Sequence, residues 1–288
     1  MWRLISESCI ESCNLLPSRS IIIKKFQYNK FRFNNSVKGI AMGKLLILIY
    51  GVASYALFFV TFLYLIAFVG NFDMLPYVSK TIDSGAPGST GQALVINTAL
   101  ISLFALTHGV MARPWFKKGW TKIIPKAAER STYVLVSSLC LIALYVYWRP
   151  MPEVIWQTAD STWIMVLWAV LLGGFGVVLI STFLINHFEL FGLHQIYSNF
   201  KGSEIPTLNF VQPVFYKLVR HPIYTGFVIA FWSTPTMTVG HMLFATLFTA
   251  QILISIPHEE RDLEAALGEP YKDYLKRIPM LVPFLKFK

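Results

Sequence analysis

The sequence predicts an all-α, polytopic membrane protein of about six transmembrane helices: five long apolar regions, the last of them a helical hairpin. Three observations carry this expectation. Hydrophobic residues make up 55% of the chain and charged residues 14%, where a soluble domain carries about 25% charged residues. Apolar runs of roughly 20 residues, the length that crosses a bilayer, recur at 45–69, 93–110, 132–148 and 163–185. A fifth run, 223–256, is too long for one pass. As a single helix it would exceed about 50 Å, against a hydrocarbon core of about 30 Å.

The elements follow in chain order. Residues 1–41 are Ser-rich and basic and lack an apolar stretch of signal-peptide length. They are expected to form a disordered extension, or to reflect an upstream start, ahead of a membrane domain at 42–288. Glu7 and Glu11 argue against a targeting presequence, and Met42-Gly43-Lys44 immediately precedes the first span. Inside the last run, Ser233-Thr234-Pro235-Thr236 and Gly240 supply the break at which the chain turns back. Two short, closely paired helices are expected there. Gly268-Glu269-Pro270 stops the helix that follows. Tyr271 and Tyr274 then open a short amphipathic segment expected to lie on the membrane.

Loop charges set the orientation. Lys24, Lys25, Lys30, Arg32, Lys38 and Lys44 precede the first span. The second loop carries Arg113, Lys117, Lys118, Lys122, Lys126 and Arg130 against Glu129. The first and third loops are poor in cations, so the positive-inside rule places both termini and the second loop in the cytoplasm. The net charge of +10 then reads as topology and attraction to an anionic bilayer, not as nucleic-acid binding. Cys9, Cys13 and Cys140 form no disulfide or zinc framework. The histidines are dispersed, so no metal is expected.

Three polar clusters fall at the cytoplasmic ends of spans. The first is Thr107-His108 through Arg113-Pro114, and the second runs from Asn186-His187 to His194-Gln195. Each has a plain structural reading. Arg113 marks a span boundary, His108 bonds a neighbouring helix, and charged groups at helix ends snorkel. His187 and His194, seven apart, would share one helix face. Gly173-Gly174-Phe175-Gly176 sits within an apolar span, with neither the preceding strand nor the acidic residue of a nucleotide fingerprint. It is expected to serve close helix packing. Trp115, Trp120, Trp148, Trp156 and Trp163 fall near span ends, where interfacial belts form.

The third cluster resists a purely structural reading. Arg220-His221-Pro222-Ile223-Tyr224-Thr225-Gly226 opens the charge-free run, and Pro257-His258-Glu259-Glu260-Arg261 closes it. Pro222 suits the first turn of a helix, whose exposed N–H groups and positive dipole end attract anions. Arg220 adds a fork of donors, and Gly226 permits close approach by a ligand or a helix. Of the adjacent Glu259 and Glu260, one is expected to face the ligand and the other to pair with Arg261, Lys272 or water. A carboxylate at the helix end, an ammonium at a glutamate and a cation near Tyr224 match S-adenosylmethionine.

The pattern His221-Pro222-x-Tyr224-x-Gly226, Glu259-Glu260-x-x-Leu263, Gly268-x-x-Tyr271-x-x-Tyr274 and a Val282-Pro283-Phe284 ending resembles the membrane methyltransferases. These include the isoprenylcysteine carboxyl and phospholipid N-methyltransferases. His108-Gly109-Val110-Met111-Ala112-Arg113 and His187-Phe188-Glu189-Leu190-Phe191-Gly192-Leu193 resemble the methanethiol S-methyltransferase branch, grouped with nurim. The resemblance implies a cofactor region at about 210–288, with His221, Pro222 and Tyr224 holding S-adenosylmethionine and one of Glu259 and Glu260 holding its amino group. Arg220 and Gly226 complete that set. It also implies a small-thiol substrate, methanethiol converted to dimethyl sulfide, for which His187 or His108 is the candidate base. Other acceptors (a prenylcysteine carboxylate, a phospholipid amine or another thiol) and a non-catalytic nurim-like protein are the competing expectations.

Overall fold

The computed structural model describes residues 19–86, 88–204 and 210–285, with residues 19–41 described as backbone alone. The chain divides after Leu46 into two units, 1–46 and 47–288. Helix α1 is Arg19–Val69. Residues 19–41, expected to be disordered, are therefore helical, while 1–18, with Cys9 and Cys13, lie outside the described residues.

The second unit is built almost entirely from helices. After α1 come α2 (Thr90–Met111), α3 (Pro114–Trp120), α4 (Glu129–Tyr147), β1 (Val154–Gln157), α5 (Ser161–Ile185), α6 (His187–Leu190) and α7 (Leu193–Lys201). Then follow α8 (Pro222–Trp232), β2 (Thr236–Thr238), α9 (Val239–Leu267) and α10 (Glu269–Arg277). Among the described residues, five helical stretches are long and apolar enough to cross a bilayer: Met42–Val69, Thr90–Met111, Lys126–Tyr147, Ser161–Ile185 and Val239–Leu267. The all-α, multi-pass membrane class is as expected.

Local chemistry explains where the helices begin and end. Asp160 accepts from Trp163 N at 3.0 Å, Asn186 from Glu189 N at 3.2 Å and Thr238 from His241 N at 3.1 Å, capping α5, α6 and α9. Gly192 separates α6 from α7 at φ +87°, and a Cβ there would stand 3.0 Å from Ser131 N. His187 and His194 consequently sit on different helices and share no face. Gly268, at φ +68°, ends α9 and starts α10.

The final run does fold back, but unequally. α8 has 11 residues and α9 has 29, where two short helices were expected. Ser233 to Thr238 make the turn, and β2 pairs antiparallel with β1. The main neighbour of α8 is α5. A Cβ on Gly226 would lie 2.6 Å from Gly174 O, and one on Gly174 would lie 2.7 Å from Gly226 O. Val178 also meets Gly226 and Ala230 meets Gly174, so the two helices run antiparallel with their backbones in contact. Gly226 therefore serves helix packing, and Gly174 within the Gly173–Gly176 stretch supplies the other half.

Phe68, Trp148, Phe244, Phe231 and Phe175 form the core of the bundle. Trp148, expected in an interfacial belt, is fully buried, and its indole donates to Ile82 O at 2.9 Å. Trp115 and Trp163 remain exposed, as a belt requires. Near Trp148, buried Asn97 donates to Arg149 O at 2.7 Å and accepts from Arg149 N at 2.9 Å. That clamp ties α2 to the end of α4 by satisfying backbone groups, not charges.

Candidate functional site

The opposite end of the bundle gathers the charges. Pro222 is at the first turn of α8, and no side chain caps that helix. Thr225 N donates to His221 O at 3.0 Å. Pro222 has no N–H, so Ile223 and Tyr224 carry the first-turn donors without intrahelical partners. A free pair of N–H groups at a positive helix end is suited to a carboxylate.

His221 and Tyr224 reach α9. The His221 ring places Nε2 2.9 Å from Glu260 Oε1, and the Tyr224 hydroxyl donates to Glu259 Oε2 at 2.9 Å. The adjacent glutamates thus engage α8 through different partners. Glu260 is the enclosed one, its side chain 16% exposed and also accepting from Arg220 Nε at 2.7 Å; Glu259 is 40% exposed. Glu259 is the carboxylate open to a ligand. The enclosed glutamate, expected to pair with Arg261, Lys272 or water, pairs with Arg220 and His221, and Lys272 joins Glu269 at 2.7 Å.

Arg220 differs from its expected role. Besides Glu260, it donates from Nη1 to Leu275 O at 3.1 Å and Ile278 O at 2.6 Å. The backbone continues this attachment through Arg220 N to Pro279 O and His221 N to Met280 O, at 2.8 and 3.2 Å. Thr225 Oγ1 adds a bond to Leu281 O at 2.8 Å. Arg220 therefore fastens the C-terminal strand of chain beside the site and orients Glu260.

The Gly-x-x-Tyr-x-x-Tyr spacing has a similar purpose. Tyr271 and Tyr274 share one face of α10 and are buried against Phe210, at ring distances of 5.7 and 5.4 Å. The Tyr274 hydroxyl donates to Tyr216 O at 2.7 Å. Burial pushes the Tyr274 phenol up to about 12, so it stays a donor. These rings clamp the segment leading into Arg220, where the sequence alone placed them on the membrane.

The two candidate histidines have different surroundings. His187 has both nitrogens engaged, by the Tyr55 hydroxyl at 2.7 Å and Thr182 Oγ1 at 2.8 Å. Thr182 donates to Leu179 O, so it accepts from His187 Nδ1–H, and Nε2 accepts from Tyr55. Phe183 stacks flat on the ring at 4.1 Å. Burial pushes the imidazole's basicity down.

His108 faces α4. Its Nδ1 lies 3.0 Å from Ser137 Oγ and its Nε2 2.8 Å from the Tyr133 hydroxyl. Tyr133 lies within electrostatic reach of Glu259, and Tyr224 feels both Tyr133 and Arg113. Arg113 in turn bonds Asp262 of α9 at 2.8 Å. The first and third sequence clusters are thus brought together around α2, α4, α8 and α9. Sequence reasoning passed over Tyr133, Ser137, Tyr55 and Asp262. Tyr133 and Ser137 carried a usable signal, being polar residues four apart in an apolar span.

Fold and site together define a polytopic α-helical membrane protein whose charged, partly solvent-open site is assembled at one end of its helices. The chain is 49% identical over 245 residues to Methanethiol S-methyltransferase 2 of Bradyrhizobium diazoefficiens, covering 84% of this chain and 92% of that protein. It is 48% identical over 243 residues to Methanethiol S-methyltransferase of Mycobacterium tuberculosis, covering 84% and 98%. Nurim of Rattus norvegicus is more distant, at 29% identity over 180 residues, 59% of this chain and 68% of that protein. No family model and no solved structure matches the chain. The chain belongs to the methanethiol S-methyltransferase family and is a membrane methyltransferase.

Proposed function

We propose that this protein transfers the methyl group of S-adenosylmethionine to methanethiol, releasing dimethyl sulfide, at the cytoplasmic face of its membrane. The observation that carries the reading is the 44–49% identity to proteins named for methanethiol S-methylation, over most of the chain. The donor set fits the cofactor. The open first turn of α8 suits its carboxylate, Glu259 suits its ammonium, and the Tyr224 ring, held by Glu259, suits a cationic sulfonium. When bound, the sulfonium supplies an electrophilic methyl group.

The chain's own work is positioning and exclusion of water, which carry most of an in-line displacement. His221 and Arg220 hold Glu260 in place, leaving Glu259 and the helix end to bind. A thiol of ordinary acidity, with a pKa of about 8.5, is mostly protonated at neutral pH, so the acceptor side must accept a proton. His108 is the candidate, for it bonds Tyr133, which lies in the field of Glu259; His187 is held on both nitrogens in an aromatic packing site. The cations Arg113, Lys117, Lys118 and Arg130 at the site's end support a cytoplasmic orientation.

Purified protein in lipid nanodiscs, given methyl-labelled S-adenosylmethionine and methanethiol, is expected to yield labelled dimethyl sulfide. A Glu259→Ala, Glu260→Ala double variant is expected to lose S-adenosylmethionine binding. Absence of binding by the parent protein overturns the reading. Binding with transfer to a prenylcysteine or a phospholipid amine, but not to a thiol, replaces the acceptor.

A further inference from the structure

The contact between α2 and α9 begins as an apolar seam and turns polar toward the site. Phe104 meets Phe248 at 5.5 Å, and Gln251 Nε2 then donates to Ala105 O at 3.3 Å. Nearer the mouth, Arg113 bonds Asp262. Gln251, Ser255, Glu259 and Asp262 are spaced four, four and three residues apart, which sets them on one face of α9. Gln251 Oε1 is buried without a partner. An unpaired buried acceptor is unfavourable, so this end of the stripe can accept a donor. His108 lies one turn beyond Ala105 on α2, and across from it α4 presents Tyr133 and Ser137.

Resting on the methyl-transfer reading above, we propose that Tyr133 is the residue that meets the acceptor thiol and His108 the group that receives its proton, with Ser137 fixing the ring. Ser137 Oγ takes the Nδ1–H of neutral His108, leaving Nε2 to accept from the Tyr133 hydroxyl. The thiol S–H proton passes to Tyr133 Oη as the phenol proton passes to His108 Nε2. Tyr133 ends as a phenol, His108 as an imidazolium and the acceptor as a thiolate. The thiolate's lone pair forms the new S–CH3 bond; the donor's S–CH3 bond breaks, and its electron pair stays on the donor sulfur. His108 then returns its proton to water at the mouth.

The placement of Tyr133 is what recommends it. It touches His108, and Ser137 lies one turn on from it along α4, while Glu259 of α9 and Tyr224 of α8 interact with it electrostatically. The charges around the pair are Arg113 from the end of α2, Arg130 and Glu129 from α4, and Glu259 from α9. Arg113 is the charge that acts on His108, while Glu259 acts on Tyr133, so the proton is held on His108 only for the duration of the transfer. His187 lacks any such neighbour among its bonded partners, which are Tyr55 and Thr182.

Tyr133→Phe and His108→Gln, made in the full chain, test the assignment with two acceptors: methanethiol, and an aryl thiol already ionised at the assay pH. Both variants are expected to bind S-adenosylmethionine within about 3-fold of the parent and to lose about 100-fold in kcat for methanethiol at pH 7. That deficit is expected to shrink as pH rises and solvent supplies the thiolate. With the aryl thiol it should stay below about 3-fold, because no proton need be removed. Ser137→Ala, a smaller change that keeps the fold, is expected to show the same acceptor dependence at about 10-fold. A loss equal for both acceptors and flat with pH, or full activity with methanethiol in all three variants, overturns the assignment. A parent protein that binds the cofactor but methylates neither thiol overturns both this assignment and the reading on which it rests.

Discussion

The two ends of the helical bundle solve the problem of polar groups in an apolar protein in opposite ways. At the end holding β1 and β2, side chains bond to backbone: Asn97 to Arg149, Trp148 to Ile82, and Lys80 to Val146 O at 2.8 Å. At the other end, ionised groups bond to one another, as in Arg220–Glu260 and Arg113–Asp262, and His221 joins Glu260. Backbone carbonyls are present whatever the sequence, so the first arrangement is a means of folding. Mutually dependent charges are costly to bury and gain little stability over apolar packing. Their concentration at one end, with one carboxylate left open, is the mark of a site.

Substitutions separate the two kinds of end. The largest effect is expected from Glu259→Gln, which keeps the shape and removes the charge. Methyl transfer should fall by about 10³-fold or more while the melting temperature moves by only about 2–3 °C, read by activity and thermal unfolding in the same detergent. A loss of folding instead would erase the contrast. Next comes Asn97→Ala, which empties a fully buried position and removes both hydrogen bonds to the Arg149 backbone. The cost is expected to be about 2–4 kcal/mol of stability, with KM for both substrates unchanged; a KM shift would show that the two ends communicate.

The smallest effect concerns Asp83, whose carboxylate accepts from Thr238 Oγ1 at 2.6 Å. Burial pushes its pKa above the ordinary carboxylate value, despite that hydrogen bond. The folded state then holds the proton to higher pH than the unfolded state does, so stability falls as pH rises from the unfolded pKa, about 4, through the folded one. Asp83→Asn should accordingly raise the melting temperature by about 1–3 °C at neutral pH and by nothing below about pH 4. An equal gain at both pH values would mean that ionisation of Asp83 is irrelevant.

Much of this was legible from residue order, and the failures are instructive. Apolar run length located the membrane-crossing helices because hydrocarbon thickness is a fixed ruler. The Arg220 and Glu259 ends were expected to meet because the run between them was too long for one pass. Legibility stopped where a role depends on what stands opposite. Gly226 was compatible with a ligand or a helix, and only the presence of Gly174 decides for the helix. Arg220 looked like a ligand fork until the carbonyls of Leu275 and Ile278, more than fifty residues away, engaged it. Trp148 sits at a span end, as belt tryptophans do, yet Ile82 O draws it inward. Tyr133 and Asp262 were missed because neither belongs to a motif; each acquires meaning from a partner on another helix.

The short helix α8 has one more consequence. Its 11 residues rise about 16 Å, roughly half of a hydrocarbon core about 30 Å thick. A helix of that length is too short to cross the slab alone, so its two ends cannot both lie at a water boundary. Field lines from its positive end run through protein and lipid of low polarisability before reaching water, so they are screened less than at an open surface. A water-borne carboxylate group can reach that end from one side, and an oily thiol can approach it from the lipid. Two reactants that prefer different solvents would then have a common address without either crossing the membrane.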